Sequence, residues 1–445
     1  MKSTSLSWLG VIRLGLVQTS LGAVVVLMTS TINRVMVVEL ALPAFVPGLL
    51  VASHYAIQLL RPAWGYRADV GGRRAPWIIL GMAVLALGGT GAALGTAMIA
   101  AHPAMGLLCA AFSFLLVGLG VGAAGTSVLA MLATHVAPER RAGAATTVWV
   151  MMIFGFALTA PLAGHFLDPF SNIRLVAVTA SVSALAFCVA TLAIWGVEKG
   201  VVGSAATKAE KTPFREAFLQ VWAEPAARRF TIFIFVSMLA YSAQELLVEP
   251  FAGVVFGMTP GTTTKLAGLQ HGGVLLGMLS VPLCASLIGG PIFGSLRIFT
   301  IGGCLASALA LAAITASGYV GQGGLLRICV FALGFSNGVF AVAAIGSMMG
   351  LAGAGARSRE GTRMGLWGAA QAIAFGLGGV LATILVDAAR LFVGVPLAAY
   401  ALVFLLEAGL FLVSGLMASR IGRPEPRPAH GTAGPGLGPS QASNI

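Results

Sequence analysis

Residues 65–74 read GYRADVGGRR, a short polar loop between two apolar runs placed near 46–65 and 75–99. About twenty mostly apolar residues make a helix long enough to cross a bilayer, so this loop joins two spans at the membrane surface. Its residues suit that position. Gly65 and Gly72 permit a tight turn. Asp69 is an acceptor for a neighbouring helix end or an arginine, and Arg73 and Arg74 are charges that anchor the loop on the inner face.

Working outward, the same criterion places further spans near 10–32, 104–133, 143–166, 173–196, 229–250, 264–289, 293–317, 324–350, 364–386 and 395–419. Of the 445 residues, 58% are apolar and 9% charged, against roughly 25% charged in a soluble domain. Lipid is therefore the main solvent. In a soluble chain the net charge of +12 would suggest nucleic acid, but here the basic residues lie in short stretches between apolar runs, with no basic domain to hold them. The composition speaks against nucleic-acid binding. Instead, 21 of the 26 lysines and arginines gather on the side that holds both termini; only Arg34, Arg174, Lys265, Arg327 and Arg390 do not. That bias predicts cytoplasmic termini. The first apolar run is too long for a signal peptide and is read as the first span. The five cysteines all fall inside apolar runs without metal-ligand spacing, as packing residues would.

The chain divides into a six-helix half at 1–197, a cytoplasmic connector at 198–228 with mixed charges, a second six-helix half at 229–420, and a Pro/Gly/Ser-rich tail at 421–445 predicted to be disordered. Within the connector, Pro213 to Trp222 is a candidate amphipathic surface helix. The halves echo one another: PERRAG (138–143) stands where REGTRMG (359–365) stands later, each followed by a tryptophan, Trp149 and Trp367, then a glycine, Gly155 and Gly376. Repeats of six spans are a common basis of transporter folds. The spacing G-x-x-x-D-x-x-G-R-R resembles the cytoplasmic loop signature of the major facilitator superfamily. The resemblance implies an all-α polytopic membrane protein with about twelve helices in two six-helix halves. It also implies a cytoplasmic latch drawn from Gly65, Asp69, Gly72, Arg73 and Arg74, with Arg140, Arg141 and Arg363 at the echoed loops. The second half keeps only Arg297 at the matching place, and APLAGH (160–165) is a partial match to an antiporter signature.

Polar residues at membrane depth mark working positions in such proteins. They cluster as Asn33, Arg34 and Glu39 in the first span, Ser53, His54 and Gln58 in the second, Gln244, Glu245 and Glu249 in the seventh, and Gln270 and His271 in the eighth; Asn337 and Gln371 follow in the tenth and eleventh. Glu245 and Glu249 stand one helical turn apart and share a face. Arg34 is expected to pair with one of them across the two halves; the competing reading is an inert ion pair holding the halves together.

The segments NRVMVVEL (33–40), HYAIQLLRPAWGYRAD (54–69), QELLVEPFAGVVFG (244–257), LQHGG (269–273) and REGTRMGLWGAAQAIAFGLGG (359–379) resemble the bacteriochlorophyll delivery family, which includes PucC- and LhaA-type light-harvesting assembly proteins. The long last segment is most similar to the branch associated with bacteriochlorophyll biosynthesis. The resemblance implies a multi-pass protein of the bacterial inner (intracytoplasmic) membrane. Its cargo would be bacteriochlorophyll or a late precursor, its partners light-harvesting apoproteins and, as an option, bacteriochlorophyll synthase. A bacteriochlorin magnesium takes an axial nitrogen or oxygen, and His54 and His271 are the candidates, with hydrogen bonding between helices as the plainer role for each. Asn33, Arg34, Glu39, Gln244, Glu245 and Glu249 complete the candidate pigment-handling set; no resident metal or catalytic residue is expected. Two other readings stay open: a transporter of another small solute, and a non-catalytic partner subunit of the synthase. A prenyl-transfer enzyme fits poorly, because Glu245 and Glu249 are the only close acidic pair in the membrane and lie away from cytosolic diphosphate substrates.

Overall fold

The computed structural model describes the chain apart from residues 1–4, 61–72, 199–218, 220, 221, 291–294, 354–359 and 421–445. Twelve helices follow one another: α1 (Trp8–Glu39), α2 (Phe45–Ile57), α3 (Ala75–Ile99), α4 (Pro103–His135), α5 (Arg141–Leu167), α6 (Asn172–Ile194), α7 (Pro225–Phe256), α8 (Pro260–Leu287), α9 (Leu296–Val320), α10 (Gly323–Gly353), α11 (Glu360–Val393) and α12 (Pro396–Arg420). Among the described residues, all but α2 are long and apolar enough to cross a membrane; α2 runs on through a tight turn at Gln58–Leu60, and its expected continuation to 65 lies outside them.

Local chemistry sets the ends. Pro103, Pro225 and Pro260 open their helices where a missing N–H costs nothing. Ser7, Ser171 and Thr259 cap α1, α6 and α8 with side-chain oxygens. Helix α7 stops at Gly257, whose φ of +65° supplies the left-handed cap.

The first span departs from expectation. It does not end near 32 but winds on to Glu39 with wide turns, closing five residues apart instead of four, over Leu27–Ile32 and Val35–Glu39. Such π turns favour functional places in helices.

Each half has its own apolar core, and the packing repeats with two-fold pseudo-symmetry. In the first half α1 packs on α5 and α6, α3 on α4 and α6, and α2 on α4; in the second α7 packs on α11 and α12, α9 on α10 and α12, and α8 on α10. The α3–α4 contact is backbone to backbone: a Cβ at Gly88 would lie 2.8 Å from the Val117 nitrogen, the small-residue packing that lipid-embedded helices favour. Between the halves, α2 meets α11 and α5 meets α8, two equivalent seams flanking α1 and α7.

The end that carries the termini, here the near end, ties its loops with arginines. Arg74 turns inward instead of anchoring its loop on the membrane face: it is buried and its guanidinium donates to the Ala130 carbonyl and Thr134 hydroxyl of α4. Its backbone N–H and that of Ala75 donate to the carboxylate of Glu198, which thereby caps α3. Arg140 donates to Ser5 and the Leu6 carbonyl and lies 6.0 Å over Trp8. Arg141 donates to the Val136 carbonyl at the end of α4, a cation at a negative helix terminus. Arg73 is exposed; Gly65, Asp69 and Gly72 lie outside the described residues, as does most of the candidate helix 213–222, and Arg363 stands in the first turn of α11 with its side chain outside the described set.

Candidate functional site

Every hydrogen bond that joins the two halves among the described residues lies in the middle of the bundle or at its distal end, away from the termini. The deepest arises from a proline. Pro250 in α7 has no N–H, so the carbonyl of Leu246, four residues back, lacks its helical donor. In lipid such a group needs another partner, and Asn33 of α1 supplies it from the other half, its amide donating at 2.8 Å. Two residues nearer the termini along α1, the hydroxyls of Thr31 and Thr264 are bonded at 2.9 Å.

Arg34 is 2% exposed, among the largest fully buried side chains. Its carboxylate partner is Glu39, not Glu245 or Glu249. The wide turns of α1 explain this, since residues five apart fall on one face where the helix closes at i+5. The other guanidinium arm donates to the Met258 carbonyl just beyond α7, at 2.6 Å. Room for it comes from Gly253, where a Cβ would lie 3.0 Å from Nη2 and 3.1 Å from Nε.

Between α1, α7 and α8 lies a small pocket with a free volume of about 10 Å³, lined by Thr29, Ser30, Glu245, Glu249, Gln270 and His271 among others. Its lining is unusually short of partners. Neither carboxylate oxygen of Glu249 has a hydrogen bond, although Ser30, Thr263 and Arg34 face it. The Ser30 hydroxyl and His271 Nδ1 are buried without partners. So is the whole amide of Gln244, one turn from Val248 in the wall. His271 rests edge-on against Phe156 of α5, ring centroids 4.8 Å apart. His54 lies elsewhere, in α2, its Nε2 bonded to Gln58 at 2.8 Å. The structure thus joins Asn33, Arg34, Glu39, Gln244, Glu245, Glu249 and His271 around one interface and leaves His54 on the α2 side, next to Tyr55, which meets Phe375 of α11 at 5.4 Å.

Sequence reasoning passed over three acids. Asp168, at the end of α5, accepts from Thr259 and from the Gly261 N–H at the start of α8. Asp387 of α11 accepts from the N–H groups of Ala44 and Phe45 at the start of α2. Glu407 is 2% exposed in the middle of α12 with both oxygens unpartnered. A lone acid in LVFLLEAGLFLV was a visible signal; the other two gain meaning only when the halves meet.

The family model described as PUCC protein matches residues 31–425. The chain is 54% identical over 419 residues to the "Bacteriochlorophyll synthase 44.5 kDa chain" of Rhodobacter capsulatus, covering 94% of this chain and 96% of that one. It is 32% identical to "Protein PucC" of the same organism over 84% of this chain and 83% of that protein. Among solved structures, a D-xylose-proton symporter superposes with a TM-score of 0.70 at 12% identity over 93% of this chain and 97% of that one. A bacterial homologue of the lysosomal transporter Spinster, inward-facing and unoccupied, gives 0.67 at 17% identity over 94% and 98%. The fold is that of the major facilitator transporters, and by sequence the chain belongs to the PUCC protein family.

Proposed function

We propose that this chain serves photosynthetic complex assembly as a membrane factor that receives bacteriochlorophyll, or a late precursor, and passes it to light-harvesting apoproteins, without itself catalysing a reaction. Family membership and the names of the relatives support the setting. The observation that carries pigment handling is His271: buried, lining the central pocket, with a ring nitrogen that no protein group engages. Neutral imidazole is a suitable axial ligand for the pigment's magnesium. His54 is the weaker candidate because Gln58 already occupies its Nε2. The pocket's free volume is about 10 Å³, room for about one water, so a tailed macrocycle reaches His271 only where one of the two seams opens. The charge bias supports an inner-membrane protein with cytoplasmic termini, and the near-end loops, with Asp69 and Arg73, are then the cytoplasmic latch.

The test is absorption spectroscopy with pigment extraction on protein purified in mild detergent from a phototrophic host. Bound pigment that is lost in His271→Ala and kept in His54→Ala is the expected result; a colourless preparation that takes up no added pigment overturns the reading. A second reading, a non-catalytic partner of the synthase, is favoured by the name of the 54%-identical relative, and co-purification of synthase with this chain distinguishes it.

A further inference from the structure

The two acids on the wall of the central pocket form no ion pair among the described residues. Helix α7 places Glu245 and Glu249 one turn apart on the pocket wall, and Glu249 is 2% exposed with no hydrogen bond to either oxygen. From α1 the one cation facing them is Arg34, and Glu39 already holds its guanidinium. From α8 comes His271, and from α7 itself Tyr241, which faces Glu245. Bare negative charge at membrane depth is costly and calls for a positive partner.

The remaining wall says what kind of partner fits. The Ser30 hydroxyl is 4% exposed and unpartnered, the Thr29 hydroxyl donates to its own helix and keeps lone pairs free, and Gln270 adds an amide. Oxygen donors with carboxylates are the ligand set of hard cations. Carboxylate, hydroxyl and amide oxygens, with no sulfur among them, suit a hard cation and not a soft transition metal, and a pocket of about 10 Å³ free volume holds one small ion. We infer that Glu245 and Glu249, with Ser30, Thr29 and Gln270, form a binding site for one small monovalent cation of the sodium type. The donors come from α1 of the first half and α7 and α8 of the second, so occupancy favours the arrangement in which the halves meet here. By linkage, whatever cargo needs that arrangement binds with the ion.

This inference does not rest on the pigment reading and is tested on pigment-free protein. Thermal unfolding of the full chain in detergent is followed while sodium replaces choline at constant ionic strength. A ligand that binds only the folded state raises the midpoint by mass action. The expected result is a saturable rise with sodium, absent in Glu249→Gln, a variant that keeps volume and shape and, without the buried charge, melts no lower than wild type in choline. Equal curves in sodium and choline overturn the site, as does a sodium response that survives Glu249→Gln. A response to pH alone, abolished by the same variant, also overturns it and gives the carboxyls to protons.

Discussion

Asp168 and Asp387 do the same thing at equivalent places in the two halves: each caps the opening turn of a helix belonging to the other half. Asp168 accepts from Thr259 Oγ1 at 2.9 Å and from the Gly261 N–H at 3.2 Å; Asp387 accepts from the Ala44 N–H at 3.0 Å and the Phe45 N–H at 2.8 Å. The acids stand 219 positions apart, as do Phe156 and Phe375, the rings at mid-seam. Their recipients Phe45 and Gly261 stand 216 apart, as do Tyr55 and His271. Two independent pairs thus give one register for each helix, and the seams are copies of one another.

A carboxylate at a helix N-terminus satisfies orphan N–H groups and meets the positive end of the dipole. Replacing such a cap by alanine costs about 0.5–2 kcal/mol. Asp387→Ala and Asp168→Ala are each expected to loosen the distal closure by that order. The check is pulsed-EPR distances between labels at the distal ends of α2 and α11 and of α5 and α8. The two clamps sit on separate seams, so the double variant is expected to be additive.

Asn33→Ala strands the Leu246 carbonyl, and leaving a buried acceptor unmade costs about 1–3 kcal/mol. Pro250→Ala returns the missing N–H and gives that carbonyl its helical donor again. The combined variant is therefore expected to melt above Asn33→Ala alone. A double variant that melts at or below the single one shows that the proline is not what creates the demand.

Gly253→Ala tests the crossing of Arg34. The added carbon meets the guanidinium and Val38 Cγ2, both at 3.0 Å, and overpacking of this kind typically costs 1–3 kcal/mol. Thermal unfolding is expected to fall by that order. Gly272→Ala, on α8 with no neighbour near the new carbon, is the control.

Glu407 is a buried acid without a partner in the core of the second half. Glu407→Gln removes the charge at similar volume and is expected to raise the melting midpoint, by about 1 kcal/mol or more given the cost of burying unpaired polar groups. Acids kept at membrane depth tend to have work to do, so the same variant is expected to lower light-harvesting complex levels in a phototrophic host. Unchanged levels make Glu407 a mere structural burden.

The fold was open to reading because lipid imposes a crude and repeated demand, twenty apolar residues per span, and because the loop arginines record which side each span leaves from. Which polar residues lie at membrane depth was also legible, since they are conspicuous in Asn33–Arg34 and Gln244–Glu245. Their pairing was not. Arg34 finds Glu39 because α1 is wound with wide turns, a property that VMVVE does not announce. The Asn33 bond was deducible in principle, because Pro250 declares a carbonyl without a donor, but which residue answers depends on how the halves dock. Asp168 and Asp387 read as ordinary helix ends until the partner helix is beside them.

The wide turns of α1 have a consequence for how this chain can vary in length. A helix advances about 100° per residue, and the stretch from Leu27 to Glu39 is wound to seat Thr31, Asn33 and Arg34 against the second half. Deleting one residue there would let ordinary winding return in place of a wide turn, and the residues of that stretch would turn other side chains toward the second half. In this span the count of residues is as much a part of the site as their identity.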